Sequence, residues 1–122
     1  MGYRSDGKIV FYALKQKDHA AIKLWVDENF PKDDFDYEER EMNGRKIMEF
    51  SFSGWKWYES YPEVQAIEKA MNDFCALFDG ENAAVEVAME FVRLGEEYED
   101  IEIKQSGGSD CLLTVSRSIN YF

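Results

Sequence analysis

The chain has 122 residues, and its 14 Lys and Arg against 25 Asp and Glu give a formal net charge of −11. This length points to one domain spanning 1–122, and 45% hydrophobic with 16% aromatic residues argues against disorder, which needs few aromatics as well as high charge. The charge sign excludes a bare cationic DNA or RNA binder, and no apolar run approaches the roughly 18 residues of a membrane span.

The opening residues lack a basic-then-apolar leader pattern. The two cysteines, Cys75 and Cys111, are too few for a disulfide scaffold and lack metal-ligand spacing. Reduced, packed thiols in a cytoplasmic protein are expected.

In chain order, Ile9-Val10-Phe11-Tyr12-Ala13-Leu14 is short, apolar and rich in strand formers, which predicts a buried strand. Asp18 is expected to cap a helix whose inner face carries Ile22, Trp25, Val26 and Phe30. Pro31 stops it, because the residue before proline is driven from helical angles.

The arm running from Asp33 to Met42 leads into Asn43-Gly44, a strong signal for a two-residue hairpin turn. The return arm from Lys46 to Trp57 sets Ile47, Glu49, Ser51 and Ser53 against Met48, Phe50 and Phe52. The charged first arm is expected at a sheet edge, where charge discourages strand addition.

Pro62 at a first helical position and the stripe Val64, Ile67, Met71, Phe74, Cys75 and Phe78 predict a second helix, ended at Asp79-Gly80. Val85, Val87, Met89 and Phe91 alternate with Glu86, Ala88, Glu90 and Val92, which reads as a strand. A charged turn from Glu96 to Glu102, a Ser106-Gly107-Gly108-Ser109 loop and a last strand from Leu112 to Ile119 complete the expectation. The order strand–helix–strand–strand–helix–strand is that of a split βαβ, ferredoxin-like α+β fold. The sheet would be mostly antiparallel, with both helices on one face and one C-terminal strand appended.

Little chemistry is written into the chain. His19 is the only histidine, has no evident triad partner, and reads as a solvated surface residue. Zinc needs a cluster of three or four Cys and His ligands, and here they lie far apart in sequence. Gly107-Gly108 lacks the lysine and helix start of a phosphate loop. Asp34, Asp36 and Glu38 begin with calcium-loop spacing, but Glu39 and Arg45 occupy the positions where glycine and glutamate are required. Met1-Gly2 fails as a myristoylation start because Asp6 stands at the sixth position. Among so many acids, some carboxylate pair will meet glycosidase spacing by chance. The chain therefore reads as non-enzymatic, with no catalytic residue, metal or cofactor.

Charge is uneven: residues 1–60 carry a net −2 and residues 61–122 a net −9. The densest stretch is Glu96, Glu97, Glu99, Asp100 and Glu102, and a second cluster holds Asp33, Asp34 and Asp36 with Glu38, Glu39 and Glu41. Such runs commonly serve as solubilising surface. Held on a rigid scaffold, they would instead present carboxylates as duplex DNA presents phosphates, about one charge per 1.7 Å of axis, and would bind in a steered, salt-sensitive way.

The segments Met1-Gly2-Tyr3-Arg4-Ser5-Asp6, Trp55-Lys56-Trp57-Tyr58 and Phe91-Val92-Arg93-Leu94-Gly95-Glu96, with Glu99-Asp100-Ile101-Glu102 beyond, resemble a family of small acidic bacteriophage and prophage proteins. The resemblance implies a phage accessory product in a bacterial cytoplasm and brings no enzymatic signature. With the charge, it leads to an expected DNA-mimicking inhibitor of a host nucleic-acid-handling protein, such as a topoisomerase, RNA polymerase or CRISPR effector. Glu96, Glu97, Glu99, Asp100 and Glu102 would make the main contacts and Asp33, Asp34 and Asp36 a second group, with no direct binding of nucleic acid or membrane. The alternatives are an interaction module using aromatics from Trp55 to Tyr61 and a small carboxylate-dependent enzyme. Arg93 has a plain structural reading as the ion-pair partner of a nearby carboxylate, and Gly95 as a turn residue.

Overall fold

The computed structural model describes residues 4–31, 35–42, 44–58, 60–78, 87–96, 100–107, 113–115 and 119–121. Strand β1 (Ser5–Ala13) leads through a 3-10 turn (Gln16–Asp18) into helix α1 (His19–Asn29). Strands β2 (Asp36–Met42) and β3 (Arg45–Trp55) follow, then helix α2 (Pro62–Phe78), β4 (Val87–Leu94) and β5 (Ile101–Gly107). Two short strands, β6 (Leu113–Val115) and β7 (Ile119–Tyr121), come last. The class is α+β. Strands β1 to β5 form one antiparallel sheet in the order β2-β3-β1-β4-β5, while β6 and β7 pair separately. Among the described residues, no helix is long and apolar enough to cross a membrane.

β1 lies at the centre of the sheet because its apolar run suits burial on both faces. Ile9 and Phe11 join one core with Met48, Phe50, Phe52, Met89 and Phe91. Into that core α1 places Ile22, Val26 and Phe30, and α2 places Val64, Ile67, Ala70, Met71 and Phe74. Each fully buried Phe contributes about 2–3 kcal/mol, and Phe11 touches four other aromatic rings at centroid distances of 5.2–6.2 Å. The charged β2 is an edge strand, as the sequence leads one to expect. Gly44, φ 76°, supplies the positive angle of the hairpin turn.

The structure departs from the sequence reading at several points. Asp18 precedes α1 but makes no side-chain capping bond. Its amide already bonds the Lys15 carbonyl at 2.9 Å in the 3-10 turn, so its backbone has near-helical angles (φ −93°, ψ −4°) instead of the extended ones of a capping residue. The acid-rich stretch expected as a turn includes the start of β5, where Ile101 and Ile103 pair with Leu94 and Val92. Ser106 and Gly107 belong to that strand too. β5 therefore takes the sheet edge beside β4, and of the last strand expected from Leu112 to Ile119 the described residues fall in β6 and at the start of β7, outside this sheet.

The second face of the sheet is also buried. Val10, Tyr12, Ile47, Ala88, Val92 and Leu94 form a second core, and β6 packs against β4. Alternation in β4 thus separates two interior faces, and Glu90, 1% exposed, lies inside. Tyr12 Oη donates to Glu90 Oε2 at 2.6 Å, satisfying a buried carboxylate oxygen.

Candidate functional site

Residues 4–6, 53–55 and 94–96, far apart in sequence, meet at one end of the sheet. β1 begins there and antiparallel β3 ends there, with Ser5 opposite Trp55; β4 also ends there, with Asp6 opposite Leu94. The Arg4 amide donates to Glu96 Oε1 at 2.8 Å, and Arg4 Nη1 to the Gly54 carbonyl at 2.7 Å. Asp6 Oδ1 accepts from the Gly54 amide at 2.8 Å and from Ser53 Oγ at 3.0 Å.

Arg93 is the hub of this cluster. Its guanidinium meets Asp100 through Nη1–Oδ2 at 3.3 Å and Nη2–Oδ1 at 3.1 Å, and Nε donates to Glu102 Oε1 at 3.1 Å. Nη1 also donates to Ser5 Oγ at 3.0 Å. Burial works against the arginine's charge, but hydrogen bonds to Asp100 and Glu102 outweigh it and raise its pKa above the ordinary value. The Gly95 amide closes the β4–β5 connection on the Asp100 carbonyl at 2.8 Å. This geometry suits structural pinning: the fork of Arg93 satisfies two carboxylates and a hydroxyl at once.

Beside this clasp lies an aromatic wall. Trp57 stacks on Phe52 (5.0 Å, 9°) and Phe91 (5.7 Å, 28°), and Trp55 packs on Phe52 and Phe35. Trp57 is buried, whereas Tyr61 is 38% exposed. A groove of about 480 Å³ runs between Trp55, Lys56, Tyr61, Glu63 and Val64. Tyr58 and Tyr61 meet edge to face at 5.1 Å, which fixes the entry to α2.

The sequence-nominated acids are divided by this architecture. Asp100 and Glu102 are tied to Arg93, with Lys104 Nζ a further 4.0 Å from Glu102. Glu96 is exposed and holds the Arg4 amide. Asp36 lies on β2, the opposite edge of the sheet from β5. Its neighbours are compensated as well: Glu38 pairs with Arg40 at 3.0 Å and Glu39 with Lys23 at 4.0 Å. Glu97, Glu99, Asp33 and Asp34 lie outside the described residues. Asp36 and Glu102 do not share one edge because the strand order puts β2 and β5 at opposite sides of the sheet.

His19 differs from the solvated residue expected. It is partly buried, and its Nδ1 is enclosed without a hydrogen-bond partner. Burial, then the charge of Lys46, lowers its pKa; Glu39 opposes this, and Lys23 adds a lesser push downward. Among the described residues, no group of three or more His, Cys, Asp or Glu could hold a metal ion. The chain matches no family model, no curated protein and no solved structure.

Proposed function

We propose that this chain is a binding protein that docks on another protein through the groove at Trp55 and Tyr61. The observation that carries this reading is a shallow, open groove of about 480 Å³ beside the stack of Trp57 on Phe52 and Phe91. Aromatics already held in place give large contact area at small entropic cost, which is what interface anchors need. The phage resemblance supports a bacterial cytoplasm as the setting and a host protein as the partner. The strand sequence β4-β1-β3-β2 with β5 added at the β4 edge supports a ferredoxin-like split βαβ arrangement for the scaffold.

A pull-down from bacterial lysate, with bound proteins identified by mass, tests this reading. Trp55→Ala and Tyr61→Ala should each lose the partner retained by the parent chain while circular dichroism stays unchanged. Retention of the same partner by both folded variants overturns it.

The net charge of −11 favours a second reading, a polyanion mimic that occupies the basic groove of a host DNA-handling protein. Arg93 leaves Asp100 and Glu102 less to contribute, so Glu96, Glu97 and Glu99 would carry most of the attraction. In that case Glu96→Gln/Glu97→Gln/Glu99→Gln slows association and flattens its salt dependence. Equal association rates for parent and variant across a salt series rule it out.

A further inference from the structure

The geometry points to a binding pocket for a small phosphate-class oxyanion between the start of α1 and the β2–β3 turn, with Arg45, Lys46 and His19 as its binding residues. A cavity of about 230 Å³ there is lined by Gln16, His19, Gly44, Arg45 and Lys46 together with the end of β1. Among the described residues, none that line it is acidic, in a chain whose net charge is −11. Two stretches of chain meet to build it: residues 13–19, from the end of β1 through the 3-10 turn to His19, and the hairpin residues Gly44, Arg45 and Lys46. Arginine offers a planar fork that fits an oxyanion, and lysine a compact charge beside it.

The imidazole supplies an independent observation. Its Nδ1 is enclosed and meets no protein acceptor, so a proton there would be a buried donor without a partner, which native structures avoid. With Nδ1 enclosed, Nε2 is the ring nitrogen that a bound anion can meet.

The charged groups around the ring explain where an anion goes. Lys23 comes from α1, Glu39, Arg40 and Glu41 from β2, and Arg45 and Lys46 from β3. A neighbouring cavity shares His19 and Lys46 and adds Lys23 and Arg40, but Lys23 is paired with Glu39 and Arg40 with Glu38 and Glu49, and Glu41 borders it as well. The oxyanion is thus directed to the Arg45 side.

The test uses the sole histidine as an NMR reporter in the full-length chain. Inorganic phosphate titrated at constant ionic strength should shift the His19 ring resonances saturably and raise the pH at which the ring protonates. A chloride control should do neither. Lys46→Ala and Arg45→Ala should each weaken phosphate binding by about tenfold, the scale of one lost charge-assisted hydrogen bond. Glycerol phosphate distinguishes the sources: a matching shift assigns the pocket to phosphate esters, and a shift with inorganic phosphate alone assigns it to the free ion. An absent or non-saturable phosphate shift, or an unchanged affinity in the folded Lys46→Ala and Arg45→Ala variants, overturns the inference.

Discussion

Arg93 and Asp100 face each other through paired contacts of 3.1 and 3.3 Å, across the connection between β4 and β5. The pair ties an edge strand to the strand beside it, and Ser5 adds β1 to the same guanidinium. With a side chain 13% exposed, Arg93 has little water to replace these partners.

Arg93→Met should therefore destabilise the fold by about 2–3 kcal/mol, because it leaves two half-buried carboxylates without their cation. Urea unfolding measures this directly. A double-mutant cycle with Asp100→Asn should return a coupling of about 1–3 kcal/mol, as for residues sharing one ion-pair network. A coupling near zero would mean that water replaces the pair.

Gly7 pairs across the sheet with Phe52, whose ring occupies the space a Cβ at position 7 would need. The ring cannot swing aside freely, since Trp57 stacks on it at 5.0 Å. Gly7→Ala should cost about 1–3 kcal/mol through overpacking. Phe52→Leu in the same chain should recover part of the loss in thermal unfolding.

Glu49 is 4% exposed and is held by Lys8 Nζ at 3.2 Å and by Arg40 Nε. Glu49→Gln removes the only charge in this trio that opposes two cations, and should cost about 2–3 kcal/mol. Glu38 also pairs with Arg40 but is largely in solvent, so Glu38→Gln should change stability by less than about 1 kcal/mol. Chemical denaturation of the two variants side by side checks the contrast.

His19 gives a pH dependence with a defined sign. Burial and the lysines lower its folded pKa below the ordinary 6.5, so the unfolded chain binds the proton more readily. Its contribution to stability is present above pH 6.5 and falls away as pH drops through 6.5 towards the folded value. His19→Gln should remove this component of the stability–pH curve, read from unfolding midpoints at successive pH values. An unchanged slope in the variant would show that another group titrates there.

The local elements were largely legible in the sequence. The stripe from Val64 to Phe74 gave α2, Pro31 the end of α1, and the Asn43-Gly44 dipeptide the hairpin joint, since each depends on residues within a few positions of one another. β5 escaped because Glu102 and its acidic neighbours resemble a solvated turn until Leu94 and Val92 offer Ile101 and Ile103 a partner strand. The capping role given to Asp18 failed for a local reason, the 3-10 turn that precedes it.

What the chain alone determined was its acidity, its two amphipathic helices and its α+β class, because composition and periodicity are properties of neighbouring residues. Tertiary structure decided the rest. Only the order β2-β3-β1-β4-β5 brings Arg4 to Glu96, 92 positions away, and sets Asp36 on the edge opposite Asp100. Pairing between distant strands is chosen by burial of both sheet faces together, and no short window of sequence contains that information.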